Sequence, residues 1–369
     1  MNNNTKRLPQ LATLVLSFII CHLSFSPVGA QTTISAYHPG VTPEGAVYYL
    51  PRTALRISVL VERTAYEPGD FASYAQRYLR LQNVSLEPRV SHRVVSITQT
   101  AFGQADKQKA YAVKFNAKTV AANVALADDG RLLSINAEPT PEPQPPLPTR
   151  QRRAAPQNPR QYMNEEILAA GSTAKMAELT SREIYDLREN RSLLIKGQAD
   201  FMPKDGQQLK LMLAQLDTQE QALRSLFEGV TTCDTTEYIL TYIPEKPVSR
   251  EVLFRLSEEL GMVDADDLSG EPFYITIEDI SQLPPTDEEA AAKVKKKVYE
   301  SGIYVNIPGR MRSTLHQGID QIGQSEFPAA QFGNVELLSA ELFNKRYTTQ
   351  LWISPLTGAV ERLQADMKK

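Results

Sequence analysis

Leu55-Arg56-Ile57-Ser58-Val59-Leu60-Val61-Glu62 is the stretch on which the fold reading turns. Leu55, Ile57, Val59 and Val61 alternate with Arg56, Ser58 and Glu62, which is the period of two expected of a strand with one face buried. The same period recurs at Arg93, Val95, Ile97 and Gln99, and again at Tyr111, Val113 and Phe115. Asp128-Asp129-Gly130-Arg131 separates Val124 and Leu126 from Leu133 and Ile135, a hairpin signal. One short helix interrupts this set: Asp70 is placed to cap it, and Phe71, Tyr74, Ala75, Tyr78 and Leu79 fall on one face. That aromatic stripe reads as the face that packs the helix on the sheet, with a sugar platform as the other use of such residues.

Further along, the period changes to that of helices. A first helix is expected from about Ser172 to Asn190, and a second from after Asp205 to a glycine stop at Gly229. On the second, Leu209, Leu213, Leu216, Leu223 and Phe227 form a stripe whose remaining slot is Glu220. A carboxylate on an apolar face is costly unless it is paired. Two arrangements satisfy this: an antiparallel hairpin in which Glu220 meets Lys175, or failing that Arg182, and a rolled helix that turns Glu220 to solvent. Strands then return at Tyr238–Ile243, Val252–Leu256, Phe273–Ile277, Ile303–Ile307 and Lys345–Ile353. Between the third and fourth, Thr286-Asp287-Glu288-Glu289 reads as a capping box before a lysine-rich helix with a solvated face.

Residues 139–160 hold eight of the chain's 24 prolines and four arginines, so no helix or inner strand is expected there. The segment reads as a stiff, polyproline-II-like tether. The expected fold class is α+β, with two β-rich modules at 31–138 and 230–369, a helical hairpin at 161–229 inserted between them, and the tether at 139–160. One internal echo accompanies this division. Gly45-Ala-Val-Tyr-Tyr-Leu-Pro51 resembles Gly302-Ile-Tyr-Val-Asn-Ile-Pro308, and Gly130–Glu138 resembles Gly358–Asp366 in the same order. Related design of the two modules accounts for it, as does a chance likeness of strand-and-turn patterns.

Residues 1–30 have the layout of a secretory signal: Lys6 and Arg7, an apolar run from Leu11 to Phe25, Pro27, then Val28-Gly29-Ala30 before Gln31. The run is short of the roughly 20 residues needed to span a bilayer, and Ile20 stands where a lipid anchor on Cys21 needs a small residue. Cleavage would move the side-chain balance from −3 to −5 and leave Cys233 as the one remaining cysteine. Val230-Thr231-Thr232-Cys233-Asp234 offers no nearby cation, so that thiol reads as inert. With 40 basic against 43 acidic residues there is no global field to recruit nucleic acid. The mature chain contains no segment expected to cross a membrane as a helix.

Chemical motifs are sparse. His38, His92 and His316 are far apart and belong to no metal-ligand pattern. GxSxG, GxGxxG and GxxxxGK[ST] do not occur. Ser172-Thr173-Ala174-Lys175 matches SxxK without its SDN and KTG partners, and is discarded as an active site. Asp264-Ala265-Asp266-Asp267-Leu268-Ser269-Gly270-Glu271 fails as a calcium loop because Ser269 stands where the sharp turn needs glycine. It reads as a solvated turn. Trp352 and the 15 tyrosines leave an aromatic sugar platform open. No catalytic, cofactor-binding or metal residue is assigned, and no cofactor is implied.

Several segments together resemble a known family. They are Tyr49-Leu50-Pro51-Arg52-Thr53, Pro68-Gly69-Asp70-Phe71-Ala72-Ser73-Tyr74-Ala75-Gln76-Arg77-Tyr78-Leu79, Arg188-Glu189-Asn190-Arg191, Leu226-Phe227-Glu228-Gly229 and Pro355-Leu356-Thr357-Gly358. The chain from about 45 to 363 is similar to a domain of unknown function found in exported Bacteroidota proteins. Arg80 stands where that family commonly has glycine. The resemblance implies a Gram-negative envelope location, periplasmic or at the outer membrane, and supplies no catalytic residues. The expected function is non-enzymatic binding or scaffolding of an envelope protein or glycan. The alternative is a hydrolase of envelope polysaccharide or peptidoglycan using carboxylates such as Asp264 and Asp266.

Overall fold

The structure is a computed structural model that describes residues 33–36, 46–114, 123–141, 147–148, 150–152, 157–282, 302–339 and 347–367. The expected signal at 1–30, His38, Phe115 and the lysine-rich helix after Thr286 lie outside those residues. The described residues are 51% strand and 23% helix and form three antiparallel sheets, an α+β fold.

The strands are β1 (Thr33–Ala36), β2 (Ala46–Glu67), β3 (Arg89–Lys114), β4 (Val124–Leu126), β5 (Leu132–Ile135), β6 (Arg150–Arg152), β7 (Val230–Tyr242), β8 (Val248–Ser257), β9 (Gly261–Val263), β10 (Glu271–Asp279), β11 (Gly302–Gln317), β12 (Asp320–Ser339), β13 (Tyr347–Ile353) and β14 (Val360–Met367). The helices are α1 (Ala75–Leu79), α2 (Glu165–Leu168), α3 (Thr173–Lys196) and α4 (Gly206–Glu228). Sheet orders are β1-β3-β2-β7-β6, β12-β11-β10-β8-β9 and β14-β13-β5-β4.

The alternation at Leu55–Glu62 does what it predicts. Leu55, Ile57, Val59 and Val61 are buried, while Arg56, Ser58 and Glu62 are only partly so. The buried four meet Phe254, Phe273, Ile275, Ile277, Met311 and Leu315, so the first two sheets stack into a sandwich. On β3 the expected inward set shifts. A bulge opposite Leu60 and Val61 skips Val95, so Val94 packs on the core with Ile97 and Ala101 while Val95 is exposed. One extra residue reverses which face a strand's side chains take. Arg93 to Gln99 and Tyr111 to Val113 are parts of this one strand.

Residues 31–138 and 230–369 are not separate modules. β7 pairs along β2 from Leu55↔Tyr242 to Glu67↔Val230, and β13 pairs with β5 at Leu351↔Ile135. Periodicity reports which residues form strands but carries no information on which distant strand supplies the partner. The proline-rich segment also differs from a free tether. Arg150, Gln151 and Arg152 pair with Thr236, Thr235 and Asp234 as an edge strand, a sheet position that tolerates proline-rich neighbours.

The internal echo has a structural counterpart. Each sandwich sheet contains an antiparallel triplet whose central strand is flanked on one side by a longer strand and on the other by a shorter one: β3-β2-β7 and β12-β11-β10. In β2 the register runs from Tyr49↔Ala110 to Pro51↔Ala105, and in β11 from Ile307↔Asn334 to Gly309↔Ala329. Both jumps sit beside a proline, which cannot donate to the ladder. Beyond each, Tyr49 N–H donates to the Gly130 carbonyl at 2.9 Å and Asn306 N–H to the Gly358 carbonyl at 3.0 Å. Both glycines have positive φ, at 86° and 73°, where a side chain is strained.

The third sheet covers one end of the sandwich. Leu132, Ile135, Leu351 and Ile353 pack with Tyr48, Leu50, Val113, Ile303 and Val305. Tyr48 Oη accepts from Tyr304 N–H at 2.9 Å, and burial pushes its phenol far above the ordinary range. Tyr48→Phe leaves that N–H without its acceptor, so a loss of about 1 kcal/mol is expected in urea unfolding followed by circular dichroism. A destabilisation below about 0.3 kcal/mol would mean that the bond contributes nothing net.

Candidate functional site

The helical hairpin predicted at 161–229 forms, and its inner half is the third core. Phe71, Ala75 and Leu79 pack with Ala177, Ile184 and Leu187 of α3 and Leu223, Leu226 and Phe227 of α4. The aromatic stripe at Phe71 therefore seats the hairpin instead of packing on the sheet. Asp70 is exposed and does not cap the short helix: a 3-10 turn at Ala72–Tyr74 leads into α1, and the capping positions of turn and helix, Phe71 and Tyr74, make no side-chain cap bond. A tight backbone approach explains the choice of partner. Phe71 N–H donates to the Leu226 carbonyl at 2.7 Å, and a methyl group on Gly69 would fall 2.1 Å from that oxygen.

Both helices are stopped by their own residues. Ser172 caps α3, its hydroxyl accepting from Lys175 N–H at 3.3 Å. Lys175 itself pairs with Glu178 at 3.2 Å. The SxxK match is thus a helix cap. Gly197, at φ 69°, ends α3 at Lys196, beyond the expected Asn190. Asp205 caps α4 by accepting from Gln208 N–H at 2.7 Å.

Glu220 is buried and paired as one arrangement requires, but with neither Lys175 nor Arg182. Arg188 Nε meets it at 2.7 Å, and Arg224 lies at 3.9 Å on the next turn of α4. Because α3 runs on to Lys196, the turn moves along the chain and brings a later arginine opposite Glu220. The next pair outward is Arg191 with Asp217 at 2.9 Å. Arg182 instead pairs within its own helix with Glu178.

Outside this ladder the hairpin opens. On one side a groove of about 420 Å³ is lined by Arg188, Arg191, Lys196, Glu220 and Arg224. On the other a cleft of about 480 Å³ between the helices is lined by Leu193, Phe201, Met212 and Leu216 among others. At the far end Ile195, Phe201, Met202 and Leu211 are 64%, 65%, 40% and 71% exposed. The sequence reading passed over this end because it closed the first helix at Asn190. The available signal was Phe201-Met202 in a connection bounded by Gly197 and Pro203, where a loop ordinarily carries polar residues.

The other candidates stand apart from it. Asp264 and Asp266 are exposed on the turn between β9 and β10, where Asp267 accepts from Ser269 N–H at 2.9 Å. That bond holds the Asp267 carboxyl below its ordinary range. Trp352 donates to the Glu138 carbonyl at 3.0 Å and carries Arg362 over its ring at 4.9 Å. His92 Nδ1 lies 3.1 Å from the Glu258 carbonyl. Cys233 lies across the ladder from Thr64, its sulfur 3.8 Å from that hydroxyl. Among the described residues no group of three or more His, Cys, Asp or Glu is placed to hold a metal ion, and no helix is long and apolar enough to cross a membrane.

Fold and site together define an antiparallel α+β sandwich that presents a helical hairpin with a basic groove and an uncovered apolar end. The chain belongs to the family described as a domain of unknown function, DUF4831, whose model matches residues 44–361. No curated protein and no solved structure matches the chain.

Proposed function

We propose that this is a non-enzymatic binding or scaffolding protein of the cell envelope, and that the outer half of the hairpin is its contact surface for a protein or glycan. The observation that carries the reading is the contrast along one pair of helices. Ile184, Leu187, Leu223 and Phe227 are buried at the root, whereas Ile195, Phe201 and Leu211 at the other end face solvent beside the arginine groove. Large apolar groups left in water on a rimmed surface mark interaction sites, and arginine and aromatic side chains are the residues on which such sites draw most. The signal-like segment at 1–30 supports the envelope address.

Site-specific photocrosslinking tests this. A photoreactive residue in place of Gln198, beside the cleft, is expected to give a discrete adduct with a protein or glycan in intact cells, and the same residue in place of Asp266 none. Adducts at Asp266 alone, or at neither position, would overturn the assignment.

A further inference from the structure

We infer that the groove between α3 and α4 binds an acidic sugar, whose carboxylate is held by Arg188, Arg224 and Lys196. This rests on the reading of the outer hairpin as a contact surface and deepens it by naming the chemistry that the groove accepts.

The wall of the groove has more donors than free acceptors. Arg188 gives its Nε to Glu220 at 2.7 Å, while its two Nη atoms make no hydrogen bond among the described residues. Arg224 reaches Glu228 through Nη2 and lies 3.9 Å from Glu220 through Nη1, and its Nε is buried with no partner among the described residues. Lys196 lines the same groove, is exposed and makes no salt bridge among those residues. The acceptors are engaged: Glu220 by Arg188, Asp217 by Arg191 and Glu228 by Arg224. A buried guanidinium N–H without an acceptor is costly. An oxygen that brings negative charge into the groove removes that cost.

The charge count selects the kind of anion. Arg188, Arg191, Arg224 and Lys196 stand against Glu220, Asp217 and Glu228, a surplus of one positive charge. Asp186, Glu189, Asp200 and Asp205 do not line the groove, and Asp200 belongs to the cleft on the other side. One surplus charge matches a carboxylate better than a phosphate monoester, which carries about −1.5 to −2 at neutral pH. The planar edge of a guanidinium also fits the two oxygens of a carboxylate.

The rest of the wall selects the carrier. Beyond its charged groups the groove offers Ser192 and Ile195, so the apolar anchors on which a bound peptide draws are scarce. Those anchors lie across the hairpin at Leu193, Phe201, Met212 and Leu216. A sugar needs fewer of them, because its hydroxyls pair with arginine and serine side chains. The groove's volume of about 420 Å³ is at the lower end of small-ligand sites, which suits one or two sugar rings and not a folded segment.

Calorimetric titration of the protein, purified as the cell processes it, with trigalacturonate tests this. Binding is expected, weakening as salt is raised. The methyl ester of the same trisaccharide, similar in shape but uncharged, is expected to bind at least about tenfold more weakly. Lys196→Gln, which removes a charge, and Arg188→Lys, which replaces a fork by a point charge, should each weaken binding by about tenfold. Lys175→Gln, at the start of α3 and away from the groove, should leave it unchanged. Position 196 is exposed, so unchanged circular dichroism and melting are expected to accompany the loss in Lys196→Gln.

The inference is overturned by absence of trigalacturonate binding, by equal binding of the ester, or by full binding in both groove variants. Equal binding of triglutamate would give the groove to an acidic peptide, and equal binding of inorganic phosphate to a simple anion; either result also overturns it. If trigalacturonate is not bound while the photoreactive residue at Gln198 still yields an adduct, the sugar assignment fails and the contact-surface reading stands. If the sugar binds and that adduct is missing, the reading fails on the cleft side and the groove assignment stands.

Discussion

Phe227→Ala is expected to lower the free energy of unfolding by about 3–5 kcal/mol, the range for emptying a core site of an aromatic side chain. Phe227 is fully buried at the root of the hairpin, its ring 5.4 Å from that of Phe71 and in one cluster with Ile184 and Leu223. The urea midpoint should fall with the slope unchanged, because the surface exposed on unfolding stays the same. Leu211→Ala, near the other end of the same helix, is the internal control. Its side chain is already in water, so a change within about 0.5 kcal/mol is expected. Equal losses at the two positions would contradict the division of the hairpin into a seated root and an open end.

The second large effect concerns Glu220. Arg188→Met removes the cation at 2.7 Å and leaves a carboxylate whose side chain is only 11% exposed. Breaking a fully buried pair costs about 3–5 kcal/mol. Arg188 is partly in solvent and Arg224 remains at 3.9 Å, so about 2 kcal/mol is the expected loss. The double variant Arg188→Met/Glu220→Leu should recover most of it, since an apolar pair of similar volume is often as good as an ion pair in such a place. The double-mutant cycle in urea measures the coupling directly. If the double variant is no more stable than Arg188→Met, the cost belongs to packing of the arginine stem and not to a stranded charge.

These two positions show how far the residues spoke for themselves. The stripe from Leu209 to Phe227, with one charge in it, was enough to demand a cation from the neighbouring helix. It could not choose Arg188 over Lys175, because that choice depends on where α3 stops, and a glycine in the left-handed region seven residues past Asn190 decides it. The strand at Leu55–Glu62 was legible for the same reason: a period of two is a local property. The bulge that turns Val94 inward, the seat of Phe71 on Leu226, and the pairing of β5 with β13 are all set by partners far along the chain. The open end escaped notice because exposure of Phe201 is a fact about what fails to cover it. Pattern alone does not report that.

The sharing of strands between β2 and β7, and between β5 and β13, has a consequence for how the chain comes to be folded. Neither side of residues 139–160 can finish its own sheets, so the first half must wait, with open strand edges, until the last hairpin is synthesised. High contact order of this kind slows folding and prolongs the exposure of unpaired edges. It favours a holding chaperone over domain-by-domain completion behind the ribosome. It also means that a single cut in the proline-rich segment would not release two independent pieces. The fragments would stay clasped, and after separation in denaturant each would regain its fold only in the presence of the other.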